Sequence, residues 1–317
     1  MYNRISSHGL MFHNFHDETH KKIQGSISKD QFIKIINYVG RKNILDSDVF
    51  LKKLKEKKLK PKEVCLTFDD GIKNQFEIIL PVLEDLKIKS SFFVQSSIFQ
   101  NKLDFLEVSR YFRNSFYKHI NDFYLDFYKL LNTNFKNFFL RKKKIIYHMK
   151  KQSSFYSYED IKFRLIRDYY LSPSKYKRIM IQIMEKKKFD YKNIYKNLVF
   201  NKKDLKVLID LGHVVGSHSH SHPGDMSKLS YDNQMKEYKK SISILSSITR
   251  NHINTMSHPS GKYNINTLKI LKKLRIEMGF YDKMLIEKKY LRYAKNNNYN
   301  FLIIPRLDST FLLHKIK

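Results

Sequence analysis

Lys62–Phe68 (Lys-Glu-Val-Cys-Leu-Thr-Phe) is a compact apolar run that stops abruptly at Asp69-Asp70-Gly71. Such a run, bounded by a turn signal, predicts a buried strand. Residues 73–87 follow with Phe76, Ile79, Leu80, Val82 and Leu83 on one helical face. Ser90–Val94 (Ser-Ser-Phe-Phe-Val) is the next strand. Strand, helix and strand in succession predict a parallel α/β sheet or barrel. The rhythm resumes near the C-terminus. Lys203–Leu211 reads as a helix stopped by Gly212, and His213–Gly216 as a strand. Ser230–Ser247 is a helix with Met235, Tyr238, Ile242 and Leu245 aligned, 254–257 a strand, 266–274 a helix, and 301–304 a last strand before Pro305. Upstream, residues 9–15 form a short strand. Ser28 caps a helix, because Gln31 lies three positions on and Phe32, Ile35, Ile36 and Val39 follow at helical spacing before Gly40. Residues 47–57 make a further helix.

Between 105 and 200 the alternation stops. This stretch is dense in Lys, Phe, Tyr and Ile and has Pro173 as its one proline. It predicts an inserted helical subdomain whose aromatics form its core. The expected organisation is therefore 1–60 as a strand and helices packing on a barrel, 61–104 with 201–317 as the barrel itself, and 105–200 as the insertion. A chain of 317 residues with 42% hydrophobic residues can bury such a core.

The chain carries 61 Lys and Arg against 30 Asp and Glu, a formal charge of +31. Zinc-finger spacing, a Walker loop and an RNA-binding aromatic signature are all missing, so nucleic acid is not the expected partner. Compositional bias toward Lys, Asn, Ile and Tyr accounts for much of the charge, and peripheral contact with an anionic membrane is an expectation that remains. Cys65 stands alone between Val64 and Leu66, which predicts a buried strand residue and no disulfide. Met1–Leu10 has no apolar core of the signal-peptide kind, and no run of about 18 apolar residues occurs. A cytoplasmic location is expected.

Two segments carry chemistry. In Thr67-Phe68-Asp69-Asp70-Gly71, two carboxylates sit at the end of a buried strand, where α/β folds place their active sites. Adjacent side chains diverge, so one can bind a cation while the other faces a substrate. An Asp-Gly turn capping the next helix is the plainer alternative. In His218-Ser219-His220-Ser221-His222-Pro223, three imidazoles fall within five residues. Two His and one carboxylate suit a divalent metal with open positions for water and substrate. Spacing alone leaves the pair open. His218 and His222 fit a helix-like turn, whereas His218 and His220 share one face of a strand.

Strand-Thr-Phe-Asp-Asp-Gly followed by strand-His-Ser-x-x-His-Pro resembles the polysaccharide deacetylases of the NodB-homology type, carbohydrate esterase family four. Ser90–Val94, Gly212–His218 and Asp225–Ser230 resemble the family's surroundings of these motifs. The resemblance implies a distorted (β/α) barrel and does not account for the helical insertion at 105–200. It implies Asp69 as general base, Asp70, His218 and His222 as metal ligands, and zinc as the metal, with cobalt, nickel, manganese or iron as alternatives. Ser257–Asn264 resembles the third motif, with His258 near the place of its Arg and the backbone at Ser260 as oxyanion donor. Leu312-Leu313-His314 matches the letters of the last motif, which implies His314 as catalytic acid. Arg306, in Pro305-Arg306-Leu307-Asp308, stands as a replacement for the missing motif Arg that steadies Asp69. His13, in Phe12-His13-Asn14-Phe15-His16, is expected at the barrel mouth, and His16 at the surface. The family's tryptophan motif has no counterpart, since the chain has no Trp.

The implied activity is metal-dependent removal of an acetyl or similar acyl group from an N-acylated amino sugar, a glycan precursor in surface polysaccharide or lipopolysaccharide biosynthesis. The alternative is a degenerate carbohydrate- or polyanion-binding protein without catalysis.

Overall fold

The computed structural model describes residues 8–100, 102–152 and 156–316. It divides into two compact units: residues 1–17, 27–102 and 199–317 form one, residues 18–26 and 103–198 the other.

The first unit is built on nine strands: β1 (His8–Phe12), β2 (Phe15–His16), β3 (Ile27–Ser28), β4 (Val64–Asp69), β5 (Ser91–Val94), β6 (Val214–Ser217), β7 (Thr255–Ser257), β8 (Met278–Phe280) and β9 (Arg306–Asp308). Seven of them form one sheet in the order β8-β7-β6-β5-β4-β1-β9, and every pairing in it is parallel. Ile304, just before β9, bridges Phe280 at the far edge, so the sheet almost closes on itself. Helices cover its outside, as a distorted (β/α) barrel requires. β1 lies between β4 and β9. The N-terminal strand is thus part of the barrel wall, not a layer packed upon it. β2 and β3 form a separate parallel pair.

Local signals placed most elements well. Ser28 and Gln31 form a reciprocal capping box at the start of helix Lys29–Val39. Residues 73–87 open with a π-turn over Gln75–Ile79 before Leu80–Asp85. The end of the chain differs from expectation. Asn300–Leu302 is a 3-10 turn, Ile304 makes only an isolated bridge, and the strand follows Pro305. Proline has no N–H to offer a ladder. Its carbonyl instead accepts from Gly9 N–H at 3.0 Å.

Alternation along β4 sorts its side chains. Cys65 packs inside with Phe93 and Phe280, whereas Phe68 stacks on Phe92 at 4.8 Å between centroids. Cys65 is fully buried, and burial pushes its thiol far above the usual range, so it has no nucleophilic character.

The second unit is helical. Its core joins Phe112, Phe123, Phe127, Phe163, Tyr176 and Met180, all buried. The aromatics there are core, not a platform for sugar rings. Asp160 is buried within it and compensated by Arg113, Arg164 and Tyr124.

Candidate metal centre and active site

Functional side chains of a parallel barrel gather at the C-terminal ends of its strands. Here that end carries His13 after β1, Asp69 and Asp70 at the end of β4, His218 after β6, Ser257 at the end of β7 and Asp282 after β8.

Asp69 closes β4 with its carboxylate inside the barrel, 2% exposed. Arg306, 1% exposed, meets it with a two-pronged ion pair: Nη1 donates to Oδ1 and Nη2 to Oδ2, both at 2.7 Å. The remaining donors reach the Tyr281 carbonyl (3.2 Å), Thr67 Oγ1 (3.1 Å) and Ser257 Oγ (2.6 Å). All five N–H groups of the guanidinium are therefore used. Burial alone would push the Asp69 carboxyl up. Arg306, with His218 and His13, outweighs this and holds it below the usual carboxylate range. Gly9 makes the geometry feasible: it lies opposite Arg306 in the ladder, and a Cβ there would stand 3.2 Å from the Arg306 stem and 3.1 Å from Phe280.

Asp70 turns the other way. It has φ +76°, unusual for a residue with a side chain, and brings Oδ1 within 3.4 Å of His218 Nε2 and 3.7 Å of His222 Nε2. One ligand atom from each of the three lies within 4.8 Å of the others. His218 Nδ1 donates to the Ser257 carbonyl at 3.0 Å, which leaves the Nε2 lone pair facing Asp70. His222 (φ +51°) and Ser219 (φ +63°) are also left-handed. Three such residues around one cluster mark backbone strain held by the surrounding structure. Part of the hold comes from Glu237, whose carboxylate accepts from the His220 and Ser221 N–H groups and from Ser221 Oγ.

The donor set fits a divalent cation. Burial would lower the His218 imidazole, but Asp69 and Asp70 more than reverse this, so the cluster favours positive charge. Two imidazole nitrogens and a carboxylate oxygen suit a borderline metal with free positions. His220 is not part of this group. Its Nδ1 pairs with Ser96 Oγ at 2.9 Å, and the ring is buried beside it.

The other expected site residues divide. His13 is half-buried and close enough for its charge to act on Asp69 and Asp70; its carbonyl accepts from Gln75, which also holds the Asp69 carbonyl. Ser260 is exposed with φ +52° in the loop after β7. His258 departs from expectation. It is 1% exposed, donates from Nε2 to the Leu302 carbonyl at 2.7 Å and stacks on Tyr263. Burial lowers it to about 4. It is a neutral core residue, not a wall of the site, and the Arg place is filled from β9 instead. His314 departs too: it is solvent-exposed on helix Ser309–Ile316, which packs against helix Lys29–Val39. Nothing brings its ring to Asp69 or Asp70 among the described residues. His16 is half-buried in β2.

Sequence reading missed Ser257, Thr67, Gln75, Glu237 and Asp282. The first four act through hydrogen bonds to residues distant in sequence, and no local pattern announces them. Asp282 sits against the loop of Ser260. A Cβ on Gly261 would fall 2.0 Å from its Oδ1, so this glycine, with φ +59°, is needed for the close approach. Asp282 Oδ1 is buried and makes no hydrogen bond among the described residues. Burial pushes this carboxyl above its usual range against the pull of Lys283 and Arg306.

A family model for polysaccharide deacetylase matches residues 56–155 and 174–279, well over half of the chain. The chain belongs to the polysaccharide deacetylase family. It is thereby a hydrolase of the class that acts on amide carbon–nitrogen bonds in polysaccharides. The family match spans the Asp69–Asp70 and His218–His222 segments and part of the helical insertion. No curated protein matches the chain. Among solved structures, the chain is similar to the Streptococcus pyogenes deacetylase PplD in complex with acetate (16% identity, TM-score 0.56, covering 99% of this chain and 100% of that one). It is also similar to IcaB from Ammonifex degensii (11%, TM-score 0.58, 99% and 98%) and to a de-N-acetylase from Aggregatibacter actinomycetemcomitans (13%, TM-score 0.56, 98% and 99%). At these identities the likeness is one of fold.

Proposed function

We propose that this deacetylase-family chain removes an acetyl or similar acyl group from an N-acylated amino sugar, with a surface-polysaccharide or lipopolysaccharide precursor as substrate. The observation that carries the reading is Asp69, held in a bidentate pair with Arg306, beside the Asp70–His218–His222 cluster. A protein that only bound glycans would have no use for a buried ionised base next to a metal cluster.

Asp70, His218 and His222 are the residues to hold the cation, with zinc the first choice. When bound, it supplies a Lewis acid for the acyl carbonyl and for water. Asp69 is kept ionised by Arg306 and accepts the proton of the attacking water. Arg306 positions Asp69 and touches no reacting atom. The backbone N–H at Ser260 donates to the oxygen that gains charge as the carbonyl carbon becomes tetrahedral. His13 lines the mouth on the substrate side. The leaving amine needs a proton. Asp282 is our candidate donor in place of His314, since it shares the barrel end with Asp69 and its carboxyl resists ionisation. C–N cleavage then yields the free amine and the carboxylate.

The test is metal content and acetate release on N-acetylhexosamine substrates for the wild type, Asp69→Asn and His218→Ala/His222→Ala. The proposal expects about one metal per chain. Asp69→Asn should keep the metal and lose turnover, while the double variant loses both. A wild type that takes up no zinc or cobalt refutes the metal cluster. One that binds glycan with no turnover supports the binding-protein alternative.

A further inference from the structure

Within the helical unit, two consecutive helices, Lys136–Arg141 and Lys143–Gln152, differ from their neighbours. Helix Ile120–Leu131 buries Phe123, Tyr124 and Phe127, and helix Pro173–Lys186 buries five side chains. Helix Lys136–Arg141 buries none. Over 143–151 no side chain is buried either. From Thr133 to Gln152 there are seven Lys or Arg and no Asp or Glu. Among the described residues no carboxylate pairs with Arg141, Lys143, Lys144 or Lys151. Folding does not use these cations, and their mutual repulsion opposes it.

The exposed faces are not purely polar. On the second helix, Lys143, Lys144, Tyr147, His148 and Lys151 recur at helical spacing and face solvent. Tyr147 is 64% exposed, and Leu140 on the first helix is 48% exposed. Lysines set around an outward Leu and Tyr suit the boundary between lipid headgroups and acyl chains, where the apolar groups bury and the cations meet anionic heads. Nucleic acid would use the cations but leave Leu140 without a role. No helix among the described residues is long and apolar enough to cross a membrane, so the contact is lateral.

We propose that helices Lys136–Arg141 and Lys143–Gln152 form a docking face for an anionic lipid bilayer, with Leu140 and Tyr147 as anchors and the Arg141–Lys144 run as the headgroup contact. This inference stands independently of the reaction assigned to the barrel.

The experiment is sedimentation of the full chain with vesicles of phosphatidylcholine alone and of phosphatidylcholine with about a third phosphatidylglycerol, at near-physiological salt. Binding is expected to the anionic vesicles only. Lys142→Glu/Lys143→Glu/Lys144→Glu should weaken it at least about tenfold. Lys202→Glu/Lys203→Glu/Lys206→Glu removes the same charge from an exposed barrel helix and should leave it unchanged. Leu140→Ser/Tyr147→Ser should weaken binding without changing net charge. None of these side chains is buried, and unchanged circular dichroism checks that each variant folds. Equal loss in both triple variants overturns the assignment, since net charge would then explain the binding. So does an inert Leu140→Ser/Tyr147→Ser variant, which would mean adsorption to any polyanion. Tighter binding to duplex DNA than to the vesicles would move the face to nucleic acid.

Discussion

Replacing Arg306 with Met keeps the length of the stem and removes the charge. Arg306 and Asp69 are 1% and 2% exposed and share two hydrogen bonds of 2.7 Å. The variant therefore leaves a buried carboxylate with Ser257 Oγ as its remaining neutral donor, at 3.1 Å. Removing one partner of a buried pair costs about 3–5 kcal/mol. The upper part of that range is expected, since Thr67, Ser257 and the Tyr281 carbonyl lose a partner as well. The cost should depend on pH. In the wild type the Asp69 carboxyl is lowered, so its contribution is present above the unfolded-state value and is lost as pH falls through the folded one. In Arg306→Met, burial is no longer outweighed and the carboxyl rises above the unfolded-state value. That variant is relieved as pH falls and penalised as pH rises. The gap between the two proteins should thus be widest near neutrality and narrow toward about pH 4. Urea unfolding of the wild type, Arg306→Met, Asp69→Asn and the double variant measures this. The double variant should cost about 2–3 kcal/mol less than the sum of the singles, as expected for groups in direct contact. The same rise in the Asp69 carboxyl should carry the acid limb of the rate profile to higher pH. Additivity within about 0.5 kcal/mol, together with an unmoved acid limb, would refute the idea that Arg306 sets the charge of Asp69.

The remaining expectations concern the histidines and Asp282. His222→Ala should abolish stoichiometric metal uptake, while His220→Ala should leave it intact and instead lose stability through its buried bond to Ser96; equilibrium dialysis with zinc or cobalt distinguishes them, and equal loss in both would undo the ligand assignment. Asp282→Asn should lower kcat by about a hundredfold with little change in KM and remove the basic limb of the profile, because the acid can act only while protonated. An unchanged basic limb would rule Asp282 out as the proton donor. His258 is lowered to about 4, so folding excludes a proton that the unfolded chain takes up below its ordinary value of about 6.5. Its contribution is complete above that value and declines by about 3 kcal/mol as pH falls toward 4. His258→Gln should flatten that part of the stability curve, and a parallel curve would mean that another group governs it.

The two chemical segments were legible because each is local. An apolar strand running into Asp69-Asp70-Gly71 and a cluster of histidines after a second strand carry their meaning within a few residues. So do the capping box at Ser28 and the strand–helix alternation that announced a parallel barrel. Long-range geometry was not legible. Spacing left His220 and His222 equivalent, and it is the left-handed turn at Ser219 and His222, tied down by Glu237 from helix Tyr231–Thr249, that swings one ring to Asp70 and the other to Ser96. His258 stood near the place of a motif Arg and His314 matched the letters of the last motif, yet neither ring pairs with Asp69 or Asp70 among the described residues. One is sealed in the core by Leu302 and Tyr263, and the other lies in solvent on the last helix.

The sequence by itself determined that a parallel α/β domain would form and that acid and imidazole groups would stand at the ends of its strands, because strand burial, helix period and capping are written in neighbouring residues. The resemblance already implied Arg306 beside Asp69; only the tertiary structure decided how such charges meet. Arg306 reaches Asp69 across 237 positions of sequence, through space that Gly9 leaves open, and Asp282 comes beside the Ser260 loop because β7 and β8 are neighbours in the barrel. Encounters of that kind depend on how the sheet closes, and closure is a property of all seven strands together.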